Sequence, residues 1–466
     1  MARILFAALL ALIAPLALAA GITLPPYETV KLDNGTTVLL MRKPDVPLIA
    51  AQVVVRGGAL ADATGKEGTA SILAELLSKG AGERDALAFA QALDGVGGQL
   101  SFASGREAVY ASAGFLARDA DLMLALLADA LQRPTLSAAE FDKLRTRAIQ
   151  SLAAAKDGDP RNLISTYGQA WLYRGHPYGR PTDGDERSLA MLSLDDIRAY
   201  YRDQLGGDRT TIAIAGDFDP ATMQQKVKAA FGNWRKAAGA LPEVAPKLRE
   251  SGRRVLLVDK PGATQTYFWA GNVGASEHDP ARAAQDLVQT VFGGRFTSML
   301  NTELRIKSGL TYGASASLQR YAQAGPAAFS SFTRTDATGQ ALDLAFATLA
   351  KLHADGIDAE TLASAKRYVL GQFAPEYETA SQLSAAIAEL DLYGQSRDRI
   401  DGYGAAIEAA TAGDVANARA IFASGDDTIL VAIGDAAKIR DAVAKYGTVT
   451  EMKIADPGFV PGVRER

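Results

Sequence analysis

Cysteine is missing from all 466 residues, so no disulfide, thiolate metal site or thiol nucleophile can be built. Histidine is nearly missing: His176, His278 and His353 are the whole supply, and no two are close enough in sequence to form a ligand pair on one helix. A basic excess is lacking as well, with 49 Lys and Arg against 53 Asp and Glu and a net charge of -4, which removes the concentrated footprint that a nucleic-acid partner requires. Beyond residue 20 no apolar run reaches the length of a membrane span. No Walker motif, dinucleotide fingerprint or nucleophile elbow accompanies the glycine pairs Gly57-Gly58, Gly97-Gly98 and Gly293-Gly294, which read as turns or, at the last, as room for a close peptide. With 48% hydrophobic residues and no supercoil or Gly-X-Y period, a disordered or fibrous chain is excluded.

What is present begins with an export signal over residues 1–19. Met1-Ala2-Arg3 is a short basic start, Ile4 to Leu18 an apolar run too short for a permanent span, and Ala17-Leu18-Ala19 a small-x-small cleavage site. The expectation is a soluble exported protein, periplasmic in a bacterial cell.

The remaining chain reads as α+β and as a repeat. Asp33-Asn34-Gly35 predicts a tight turn between strands Thr29–Leu32 and Thr36–Met41, followed by a strand over Pro47–Arg56. Helices are expected over 68–79, 84–95, 118–131, 137–156, 163–172, 195–205 and up to about 234, with strands at Val109–Phe115 and Thr210–Ala215. The second half repeats the order: strands Arg254–Asp259 and Thr264–Ala270, helices Ala281–Phe292 and Thr297–Arg305, strands Thr311–Leu318 and Ala327–Thr333. Helices over 338–354, 358–372 and 378–392 precede a strand Thr428–Ile433 and a last helix. The segments ending Ala215-Gly216-Asp217 and Ile433-Gly434-Asp435 lie 218 residues apart in the same context. Two similar domains are predicted, over 20–236 and 252–466, joined by a linker over 237–251.

Asn34-Gly35, Gly57-Gly58, Gly68 through Gly80, Gly175 through Arg180, Ala215-Gly216-Asp217 and Arg305 through Tyr312 follow one another in an order that resembles the M16 zinc metallopeptidase family, also called the pitrilysin or mitochondrial-processing-peptidase-like family. The resemblance covers nearly the whole chain after the signal. It implies two homologous α/β-sandwich domains forming half of a clamshell around a peptide chamber, with a second chain supplying the other half.

The resemblance breaks at the chemistry. Family enzymes use His-x-x-Glu-His, with both histidines on zinc, the Glu activating water and a distant Glu completing the metal shell. In Gly68-Thr69-Ala70-Ser71-Ile72-Leu73-Ala74-Glu75, Ser71 and Glu75 stand at the histidine positions and Ala74 at that of the general base. The distant ligand falls at about Ser151 and a supporting Glu at about Leu144, neither acidic. No zinc or other cofactor is therefore expected in this chain, and zinc is expected in an M16 homologue that partners it. His176, in Gly-His-Pro-Tyr-Gly, reads as a turn residue, and His278 and His353 as residues of helix ends.

A second family feature is kept. Gly293 through Tyr312 resembles the helix, Gly-Leu turn and strand whose Arg and Tyr, seven residues apart, hold peptide from the half opposite the zinc. The resemblance gives that role to Arg305 and Tyr312; read alone, without the surrounding segment, they are a solvated Arg on a helix face and a Tyr packed in a strand. Arg161, Arg174, Arg180 and Arg187 set the chamber's potential or only keep a surface soluble, and the sequence does not separate the two. The resulting expectation is a non-catalytic subunit of a two-chain peptidase acting on unfolded or extended peptide. An exported structural or peptide-binding homodimer and an autonomous hydrolase with another site are the alternatives.

Overall fold

A computed structural model describes residues 21–250 and 252–462; the segment assigned to an export signal lies outside the described residues. Asn34-Gly35 makes the turn expected of it, with Gly35 at a φ of +100°. That turn joins β1 (Glu28–Lys31) to β2 (Thr37–Arg42), and the Asn34 amide donates to the carbonyls of Phe231 at 2.8 Å and Trp234 at 3.0 Å. After β3 (Leu48–Arg56), β4 (Gly80–Ala81) and β5 (Arg84–Asp85) form a small separate hairpin. With β6 (Gln99–Ser104), β7 (Ala108–Leu116) and β8 (Thr210–Gly216), the first sheet has the order β1-β2-β8-β3-β7-β6.

The second sheet is built from β9 (Arg254–Asp259), β10 (Gln265–Val273), β11 (Ala314–Leu318), β12 (Pro326–Arg334), β13 (Ile429–Gly434) and β14 (Thr448–Lys453), in the order β14-β9-β13-β10-β12-β11. Laid over the first, β2, β8, β3, β7 and β6 fall on β9, β13, β10, β12 and β11, and every pairing keeps its sense. Only the outer strand differs: β1 runs antiparallel to β2, whereas β14 runs parallel to β9.

Each sheet carries its own domain's helices on one face and a single helix from the other domain on the opposite face. Helix Ile164–Leu172 lies on β10 and β13, and helix Ala380–Leu392 lies on β3 and β8. Tyr167 and Trp171 pack with Trp269 and Val431, while Leu383 and Ile387 pack with Leu39, Met41 and Ala213. Burial on both faces explains why β8 and β13 are continuous apolar runs rather than alternating ones. The domains are also tied by Glu107, whose carboxylate accepts from the Tyr178 hydroxyl at 2.6 Å, the Tyr393 hydroxyl at 3.0 Å and the Ala322 amide at 3.0 Å. Near the C-terminus, Gly458 and Asp456 accept from the buried Lys156 ammonium, and Phe459 meets Tyr167 edge-on at 4.9 Å.

Some elements differ from the sequence reading. β6 alternates polar and apolar residues, β14 is mostly polar, and both lie at sheet edges, so neither shows an apolar run. The helix expected over 84–95 starts at Ala86, because Arg84–Asp85 pairs as β5 and Asp85 caps the helix through the Ala88 amide. The helices expected over Ala281–Phe292 and Thr297–Arg305 widen into π-helical turns at Thr290–Gly294 and Thr302–Lys307. The strand expected from Thr311 begins at Ala314, since the Thr311 hydroxyl accepts from the Gly313 amide and closes a turn first.

No helix among the described residues is long and apolar enough to cross a membrane.

Candidate functional site

The degenerate metal position is built on helix Thr69–Leu76. Gly68 enters it at a φ of +95°, and the Asp62 carboxylate caps it by accepting from the Gly68 and Ala70 amides at 2.8 and 2.9 Å. Asp62 is only 3% exposed, and burial pushes its carboxyl up to about 7 against the pull of those two amides. On this helix the Ser71 hydroxyl donates to Asp183 at 2.9 Å, Ala74 is buried in the core, and the Glu75 carboxylate is ion-paired with the Arg147 guanidinium. Arg147 stands one turn before Ser151 on helix Ala138–Asp157, and Leu144 on the same helix is part of the core. These residues do not fit zinc. One carboxylate held by a guanidinium, a hydroxyl held by Asp183 and a buried methyl supply neither three ligands nor a base. Among the described residues no three His, Asp or Glu side chains converge on a point where a metal could sit.

The histidines make no approach to this place. His176 accepts from the Tyr178 amide through Nδ1, which leaves Nε2–H to donate to the Ala245 carbonyl at 2.8 Å, as a turn residue. His353 closes its helix end onto the Phe422 carbonyl at 2.8 Å.

Arg305 and Tyr312 belong to the second domain. Gly309, at a φ of +63°, reverses the chain so that the Leu310 and Thr311 amides return to the Leu304 carbonyl, which sets Tyr312 down beside the turn that carries Arg305. The Arg305 guanidinium rests 4.9 Å from the centre of the Phe296 ring and makes no ion pair among the described residues. Tyr312 is 80% exposed and lies against Phe332 with ring centres 6.4 Å apart. Phe296 is itself 60% exposed, so two large aromatic faces and an unpaired cation meet solvent on one segment. Gly293 serves packing: a Cβ there would stand 2.3 Å from the Ala316 amide nitrogen in β11. Arg147 and Phe296 carried no motif in the sequence; both are found only through contacts made by folding.

Two family models match the chain. "Insulinase (Peptidase family M16)" matches residues 37–186, and "Peptidase M16 inactive domain" matches residues 191–369. The chain belongs to the M16 peptidase family. Curated relatives include an uncharacterized zinc protease of Mycobacterium tuberculosis, 27% identical over 80% of this chain and 85% of its own length. Another, from Bacillus subtilis, is 24% identical over 75% and 84%. Among solved structures, a peptidase M16 inactive domain from Pseudomonas fluorescens superposes with a TM-score of 0.82 at 22% identity, covering 88% of this chain and 98% of its own. A protease from Helicobacter pylori gives 0.81 at 19% identity, covering 88% and 100%. The fold is thus the two-domain M16 half-clamshell, and this M16 chain is of the non-catalytic kind, without the inverted zinc motif.

Proposed function

We propose that this chain is the non-catalytic subunit of a two-chain M16 peptidase. It closes the chamber around a zinc-bearing homologue in the periplasm and holds extended peptide with Arg305 and Tyr312. The observation that carries the reading is the pairing of two facts: Glu75 is neutralised by Arg147 where a metal would need ligands, while among the described residues Arg305 and Tyr312 stand unpaired and open. Arg305 offers a planar fork of donors to peptide carbonyls, and Tyr312 a hydroxyl, a set suited to an extended backbone or to an oxygen that gains charge during hydrolysis. Hydrolysis belongs to the assembly and its zinc to the partner.

Co-expression with an exported homologue carrying an intact His-x-x-Glu-His tests this. Gel filtration with light scattering is expected to give a complex of one chain of each kind, holding one zinc on the partner. Two separate monomers at micromolar concentration would favour the homodimeric or structural alternative.

A further inference from the structure

The aromatic stack under Tyr312 does not end within its own domain. Phe332 on β12 pairs across to Tyr267 on β10, and the Arg161 guanidinium covers both, 4.5 Å from the Phe332 ring centre and 6.0 Å from that of Tyr267. Arg161 comes from the first domain. The Asp159 carboxylate accepts its backbone amide at 2.9 Å, Pro160 is buried, and the turn so formed leads into Ile164–Leu172, the helix that crosses to the second sheet. The segment leading into the crossing helix thereby delivers a cation of one domain to the aromatic stack of the other, in which Tyr267 is buried, Phe332 half-buried and Tyr312 exposed.

We propose that Arg161 is a specificity-determining residue of the peptide site, binding a carboxylate of the peptide that Arg305 and Tyr312 hold; the inference rests on that reading of the site. A guanidinium over a ring face has its N–H donors in its own plane, above the ring rather than spent on it, where a carboxylate is the matching acceptor. The Arg161 side chain is 52% exposed, its only ion pair among the described residues is a loose one, Nε to Asp159 at 3.7 Å, and the Tyr267 hydroxyl is its other polar neighbour. Phe332 is shared: it lies under Arg161 and against Tyr312, and Tyr312 follows Arg305 across the Gly309 turn. A neutral backbone needs no second cation; an acidic side chain or a C-terminal carboxylate does.

The test is fluorescence anisotropy on the full chain with four labelled extended peptides of one sequence. They carry Glu or Gln at the internal positions, each with a free or an amidated C-terminus. The wild-type chain is expected to bind a carboxylate form about 10-fold more tightly than the fully neutral peptide, the Glu and the terminal arms showing which carboxylate is read. Arg161→Gln should abolish that preference while still binding the neutral peptide, and Arg161→Lys should keep part of it. A preference that survives Arg161→Gln, or an equal weakening of all four peptides, would overturn the proposal, the latter because it marks a purely structural role. Failure of every peptide to bind the wild-type chain would instead remove the peptide-holding reading and this inference together; loss of all binding only in Arg305→Ala would uphold that reading whatever Arg161→Gln shows.

Discussion

Glu75 and Arg147 occupy the place that gives the M16 family its chemistry, and their ion pair is half in water, with side-chain exposures of 40% and 61%. Arg147→Ala is therefore expected to change stability by less than about 1 kcal/mol, because an exposed pair is screened and pays side-chain entropy to form. Denaturant unfolding reads this; a loss of several kcal/mol would mean that the guanidinium has become a structural substitute for the metal. The loss of ligands at Ser71, Ala74 and Glu75 was legible in the sequence, because helical spacing is local. The Arg147 pairing was not, since it joins residues 72 apart through the packing of two helices.

Asp62 gives a residue-level prediction on pH. Burial raises its carboxyl from 3.8 to about 7; the Ala70 and Gly68 amides and Arg180 oppose the shift and Glu67 adds to it. The unfolded chain releases this proton first, so its share of stability is fully present below about pH 4 and is lost as pH rises through about 7. Asp62→Asn should flatten that part of the stability curve, read as urea midpoints between pH 5 and pH 8 for both proteins. Parallel curves would show that the group is ionised throughout.

At the scale of elements, the crossing helices bind the molecule most directly. Gly168 lies against the Trp269 ring, where a Cβ would come within 2.5 Å of the indole. Gly168→Ala should cost about 1–3 kcal/mol through overpacking, although alanine favours the helix itself. A calorimetric melt measures it; an unchanged melting temperature would mean that the helix can lift from the second sheet at little cost. The apolar runs of β8 and β13 were legible as strands, yet nothing read from the sequence says that both faces are covered or that the second cover comes from the other domain. The Thr302–Lys307 π-turn was hidden for a related reason: its residues favour an α-helix, and the wider turn is a matter of how the segment closes onto Leu310.

At the scale of the whole molecule, the two sheets repeat one strand order and are interlocked by an exchanged helix pair, Glu107 and the C-terminal contacts at Lys156. Such a body is suited to act as one rigid half-shell, so that Arg305, Tyr312 and Arg161 keep fixed positions relative to whatever faces them. The repeat was readable from the 218-residue offset of two strand ends, whereas the Arg161 contribution depends on a domain crossing that no local pattern records.

The most direct test of the account is peptide turnover by the reconstituted two-chain complex carrying Arg305→Ala and Tyr312→Phe in this chain, with light scattering and zinc content measured on the same samples. A donor aimed at developing charge contributes roughly 3 kcal/mol, and a residue that also holds the bound peptide adds to KM, so a loss on the order of 100-fold in catalytic efficiency is expected, with assembly and zinc intact. Unchanged kinetics in a correctly assembled, zinc-loaded double variant would contradict it and leave this chain as a passive cover.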